Sequence, residues 1–151
     1  METRSSRLVA SPRARVYAAL LDPAAVQRWM VPDDMRSEVH RFEAHEGGTF
    51  AITLTYEAPG AVGKTTAQSD GFSGRFVRLV PDREVVQAVA FDTEDPSVQG
   101  DMTITYLLED APGGTLVTGL HEGLPAGVSA ADNELGWSMS LRKLAELVEG
   151  G

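Results

Sequence analysis

The sequence predicts an α+β domain in which a curved antiparallel sheet of about seven strands wraps around a long C-terminal helix. Three observations carry this. Residues 37–122 alternate apolar and polar side chains with period two, between short turn-forming links. Residues 128–149 hold one apolar stripe at helical spacing. Two proline-led helix starts, Ser11-Pro12 and Asp22-Pro23, stand near the front.

Residues 3–10 have room for one short strand. Ser11 is expected to cap a helix over 12–21, with Pro12 at its first position and Val16, Tyr17 and Leu20 on one face. Asp22-Pro23 repeats the signal and predicts a second helix over 23–29. After Pro32 the period changes. "SEVHRFEAH" (37–45) reads as a strand bounded by Gly47-Gly48. "TFAITLTYE" (49–57) places Phe50, Ile52, Leu54 and Tyr56 on one face and Thr49, Ala51, Thr53 and Thr55 on the other. A loop over 58–69 leads to "GFSGRFVRLV" (71–80), and a turn at Pro81-Asp82 leads to "EVVQAVAFD" (84–92). "MTITYLLED" (102–110) and "TLVTGLHE" (115–122) are joined by a Pro-Gly turn. Links of hairpin length make the sheet antiparallel. In the closing helix, Trp137, Leu141, Leu144 and Val148 form the stripe, while Arg142, Lys143, Glu146 and Glu149 point elsewhere. One sheet face and one helix stripe must be buried against each other. A strongly bent sheet does not lie flush along a helix, and the gap predicts a cavity.

A length of 151 residues suits a single domain, 1–151. Nothing approaches the roughly 20 consecutive apolar residues of a membrane span. "METRSSRLVASPR" has no apolar core of a secretory signal, so a cytoplasmic protein without a membrane partner is expected. The net charge of −9 argues against nucleic acid, whose phosphates are bound by clustered cations. There is no cysteine, which removes thiol nucleophiles, disulfides and cysteine-ligated zinc.

Few motifs carry chemistry. In "GLHEGLP" (119–125) His121 and Glu122 are strand neighbours, so they face opposite ways and do not form a dyad. A zinc-protease pattern needs a second histidine four residues on along a helix, and residue 125 is proline. The apolar count favours Leu116 and Leu120 as the inward set, which would turn His121 outward. "GAVGKTT" (60–66) has two residues between its glycines where a phosphate loop has four, and a strand follows instead of a helix. It reads as a cavity rim. Asp92, Glu94, Asp95 and Asp101 match no calcium-loop spacing and read as a solvated connection, as do Asp33-Asp34. No metal or other cofactor is expected.

The ordered set "ASPRARVYAALLDPAAVQRWM", "EGGTFAITLTYE", "FSGRFVRLVPDREVVQAVAFD", "GGTLVTGLHEG" and "GWSMSLRKLAELVEG" resembles a known family over nearly the whole chain. It is similar to the helix-grip fold of the SRPBCC (START-like) superfamily, in the bacterial branch related to the C-terminal domain of the heat-shock protein ATPase activator. The resemblance implies a cavity between sheet and helix that binds a hydrophobic small molecule. It implies no shared catalytic motif, so no residue inherits a catalytic role. The family's usual strand turns His121 inward, with Gly119 leaving room beside it, and the matching pieces place Trp29 and Trp137 near the gap. From the inward faces of the strands, Ile52, Leu54, Tyr56, Phe72 and Phe76 are expected ligand contacts. So are Phe91, Ile104 and Tyr106, and Leu141 on the helix. Met35 is expected there too, with Met30 and Met102 as further adaptable wall. The leading expectation is binding of an apolar or aromatic small molecule by a monomer or weak dimer. A second is an enzyme, cyclase/aromatase-like or hydrolase, using His121 with Tyr56 or Tyr106 for proton transfer. A third is a co-chaperone-type regulator of a heat-shock ATPase, expected least because the chain carries one domain.

Overall fold

A computed structural model describes residues 2–31, 35–56, 69–92, 96 and 99–149, the side chains of 56, 69 and 70 excepted. Strand β1 (Glu2–Val9) is followed by helices α1 (Arg13–Leu20) and α2 (Pro23–Trp29). Six strands come next: β2 (Met35–Phe42), β3 (Thr49–Tyr56), β4 (Ser69–Val80), β5 (Glu84–Phe91), β6 (Met102–Ala111) and β7 (Gly114–Glu122). Helix α3 (Ala130–Glu149) closes the chain. The strands form one antiparallel sheet in the order β1-β7-β6-β5-β4-β3-β2. From β2 to β7 it is a meander of hairpins, and β1 is added on the far side of β7. The architecture is the expected α+β helix grip.

Local chemistry accounts for most boundaries. Asp22 Oδ1 accepts from the Ala24 amide at 3.0 Å, and Pro23 opens α2 where no amide hydrogen is needed. The start of α1 differs from expectation. Pro12 occupies the capping position, no side chain caps the helix, and the Ser11 hydroxyl is buried without a partner among the described residues. Ser11 is instead drawn toward the strands: its amide bonds Val9 O, and its carbonyl accepts from Thr115 Oγ1 at 2.7 Å. For α3, Ser129 is the cap, with its hydroxyl accepting from the Asp132 amide at 3.2 Å. Between β6 and β7, Pro112-Gly113 makes the two-residue turn, with Gly113 at φ 86° in the left-handed region that glycine enters freely.

The sheet curls because two strands carry bulges. Register shifts occur between Val39 and Arg41 in β2 and between Phe76 and Arg78 in β4. An extra residue bends a strand and raises its twist. The C-terminal half of α3 buries Leu141, Leu144, Ala145 and Val148, and α3 is in contact with β1, α1 and α2. Val16, Leu20, Val26, Trp29, Phe76 and Tyr106 are almost fully buried in the same core. Lys143 Nζ, donating to Val31 O at 2.7 Å, ties the helix to the end of the α2 segment.

Candidate functional site

The N-terminal half of α3 touches the sheet along β1 and β7, through Asn133 and Trp137. Beneath it lies a cavity of about 500 Å³. Its sheet wall is formed by Met35, Leu54, Phe72, Val89, Phe91, Met102, Ile104 and His121. The pairing register explains why these residues meet. Phe72 pairs with Phe91, Val89 with Met102, and Ile104 with His121, so the wall is one end of the antiparallel sheet. The opposite end holds the hairpin turns at 43–48, 81–83 and 112–113. The helix side contributes Asn133, Gly136, Trp137 and Ser140, at i, i+3, i+4 and i+7, with Met139 and Asp132 beside them. The segment before the helix adds Gly127, Val128 and Ser129.

One corner is polar. His121 is 5% exposed. Asn133 Nδ2 donates to Thr3 Oγ1 at 2.7 Å and to His121 Nδ1 at 2.9 Å, which links β1, β7 and α3. Because Nδ1 accepts, the neutral ring carries its hydrogen on Nε2. Nε2 is buried and has no hydrogen-bond partner among the described residues. Burial lowers the imidazole pKa to about 4. The ring is neutral at pH 7. Its edge meets Trp137, with centroids 4.7 Å apart and planes at 76°. Trp137 also meets Tyr106, at 5.8 Å.

The expected contact residues fall into two layers. Met35, Leu54, Phe72, Phe91, Ile104, His121 and Trp137 border the cavity, and so do Met30 and Met102. His121 therefore faces inward, against the apolar count along its strand. Ile52, Phe76, Tyr106, Leu141 and Trp29 do not border it, each being at most 2% exposed within the core. Tyr106 is the next inward residue after Ile104 along β6, and Ile52 the next after Leu54 along β3, so each lies one step deeper. Trp29 Nε1 donates to Ala19 O at 3.0 Å, and its ring meets Tyr106 edge-on at 6.0 Å. The Tyr106 hydroxyl is buried without a partner among the described residues, and desolvation pushes its pKa well above the usual value. The Tyr56 side chain, the loop 60–66, Asp33-Asp34, Glu94 and Asp95 lie outside the described residues. Asp92 Oδ1 accepts from Ser73 Oγ at 2.9 Å.

Sequence reasoning missed Asn133, which orients the histidine. Extending the stripe of α3 back by one turn from Trp137 lands on it. Among the described residues no group of three or more His, Cys, Asp or Glu could hold a metal ion, and no helix is long and apolar enough to cross a membrane.

Comparison with known proteins agrees with this geometry. No curated protein matches the chain. A crystal structure of a Chromobacterium violaceum protein is 32% identical, with a TM-score of 0.88 over 98% of this chain and 96% of that one. A Rhodobacter sphaeroides protein shares the fold at 19% identity and a TM-score of 0.80, covering 99% of this chain and 92% of that one. The AHSA1-like protein of Aeromonas hydrophila does so at 19% identity and 0.72, covering 99% and 93%. The family model described as "Activator of Hsp90 ATPase homolog 1-like protein" matches residues 10–149, nearly the full length, and the chain belongs to that family, within the SRPBCC superfamily.

Proposed function

We propose that the protein binds an apolar, ring-bearing small molecule in the cavity beneath α3. The observation that carries this reading is a space of about 500 Å³, walled by apolar side chains with polar groups gathered at one corner. Small-molecule sites commonly have this size and this division of surface. Three aromatic rings, Phe72, Phe91 and Trp137, contribute to the wall. Four of the five methionines contribute as well: Met30, Met35, Met102 and Met139. Thioethers are polarizable and conformationally adaptable, and they favour contact with rings.

The state of His121 supports binding over turnover. A ring whose pKa is about 4 is unprotonated at pH 7 and so is not a general acid there. It is also a weak general base, because efficient proton transfer wants a pKa near the working pH. The neutral ring remains a good hydrogen-bond donor. Tyr106, the expected partner in proton transfer, lies in the core layer below the wall.

Native mass spectrometry of the purified protein, followed by titration with aromatic ketones, flavonoids, steroids and fatty acids, tests the proposal. The two tryptophans differ usefully: Trp137 borders the cavity, and Trp29 is fully buried in the core. Binding should change the emission of the wild type and of a Trp29→Phe variant, and leave Trp137→Phe silent. No retained mass and no response from any compound class would remove the cavity reading and shift weight to a protein partner.

A further inference from the structure

We infer that the ligand of the cavity is a ring alcohol or phenol, held with its hydroxyl against Ser140 Oγ at the inner end of the helix wall. This deepens the ligand-binding reading above and rests on it. Ser140 is 4% exposed and borders the cavity. A helical serine commonly returns its hydroxyl to a carbonyl one turn back, as Ser138 does to Leu135 O at 2.8 Å. Ser140 Oγ makes no hydrogen bond among the described residues. The unpartnered side-chain oxygens and nitrogens that are sealed in belong to Ser11, Ser37, Tyr106 and His121, and Ser140 is not one of these. The little surface that Ser140 keeps therefore includes its oxygen, and it opens on the cavity.

The other polar groups of the wall are committed or lie at its outer end. Asn133 Nδ2 is held by Thr3 and His121, the Ser129 hydroxyl caps α3, and Asp132 is exposed on the first turn. Position along the helix sets the orientation of the ligand. Leu135 is on the wall yet 57% exposed, and so marks the open end. Ser140 stands about 7 Å further along the axis, where the buried run of Leu141 and Leu144 begins. Gly136, between them, adds no side chain and leaves room for a flat ring against the helix. A ligand filling this space shuts water away from Ser140 Oγ, and a buried hydroxyl without a partner is costly. A ligand hydroxyl meets the need in either direction, because each of the two groups both donates and accepts. A carbonyl only accepts and an ammonium only donates.

A matched pair tests the inference: 2-hydroxyfluorene and 2-methylfluorene, alike in shape, titrated into the full-length wild type, Ser140→Ala and Ser138→Ala and followed by ligand fluorescence. The hydroxyl-to-methyl affinity ratio should fall about 3- to 10-fold in Ser140→Ala, the worth of one neutral hydrogen bond. It should stay the same in Ser138→Ala, whose hydroxyl serves its own helix. The thermal midpoint of Ser140→Ala should equal or exceed that of the wild type, since no internal hydrogen bond is lost and alanine is the better helix former. A ratio unchanged by Ser140→Ala, an equal fall in Ser138→Ala, or binding of the methyl compound alone overturns the inference and leaves the cavity reading standing. So does a lower midpoint in Ser140→Ala, which would reveal an internal partner for the hydroxyl. Failure of both compounds to bind removes both readings.

Discussion

His121 shows how position along a strand converts an ordinary side chain into a specialised one. Its pKa falls to about 4 because burial penalises the cation. That shift is also a statement about stability. The unfolded chain takes up a proton near the usual 6.5, whereas the folded ring waits until about 4. Between those values the unfolded state binds more protons, so stability falls as the pH drops through the window. From pH 7 to pH 4.5 this ring alone should cost about 2 kcal/mol. Carboxylates titrate over the same range, so the check is the difference between wild type and His121→Gln in urea unfolding. Whatever its value at pH 7, that difference should move by about 2 kcal/mol in favour of the variant at pH 4.5. A constant difference would mean that the ring titrates alike in both states. Tyr106 presents the opposite case, a buried hydroxyl with no partner among the described residues. Tyr106→Phe removes a polar atom and no hydrogen bond, so it should be neutral or stabilising by up to about 1 kcal/mol in the same assay. A loss of more than that would reveal a partner for the hydroxyl.

At the scale of elements, period-two alternation survived folding because each strand has one face against the core and one against solvent. Phe50, Ile52 and Leu54 face inward together, as their spacing requires, and the strand order follows from hairpin-length links. Depth along a strand is not written in its periodicity. Ile104 and Tyr106 share a face, yet one borders the cavity and the other packs beneath it. That division is set by which part of the sheet α1, α2 and α3 cover, and those contacts join segments distant in sequence. The apolar count along β7 points the wrong way for His121 for a related reason: its inward neighbours on the strand are Gly119 and Val117, and the space over Gly119 is filled by no side chain within 4 Å of a built Cβ. The curvature was legible only as the need for a gap. The bulges that produce it leave no clear mark in composition, but one glycine does register the crowding. A Cβ on Gly74 of β4 would collide with the Ala88 carbonyl oxygen and approach Phe50 Cζ to 2.9 Å. Gly74→Ala therefore forces two strands of the central sheet apart. It should destabilise the protein by about 2–4 kcal/mol, seen as a lower urea midpoint.

For the whole molecule, the cavity and the core adjoin under one helix: Val89, Met102 and Ile104 border the first and belong to the second. The C-terminal half of α3 presents Leu141, Leu144 and Val148 to α1, α2 and the closed end of the sheet, and the N-terminal half presents Asn133, Gly136 and Trp137 to the cavity. The consequence is that the helix side of the cavity wall can change without loss of the packing that Leu141, Leu144 and Val148 provide. Gly136 gives the sharpest test, because it combines a helix-interior position with a place on the cavity wall. Glycine there costs about 1 kcal/mol in helix stability relative to alanine, which leucine nearly matches as a helix former. In Gly136→Leu the backbone gain and the burial of new apolar surface both favour the folded state, while the added side chain occupies ligand space. Thermal unfolding should therefore occur at an equal or higher temperature, by up to several degrees. Affinity for any ring compound that binds the wild type should fall about ten-fold or more. Unfolding of the variant at lower temperature would mean that the two halves of α3 share one packing constraint. Unchanged affinity with raised stability would place the ligand away from the helix, against the sheet wall of Leu54, Phe72 and Phe91. The predicted opposition, a firmer fold with a weaker binder, is the outcome expected of a helix position that faces the cavity and not the packed core.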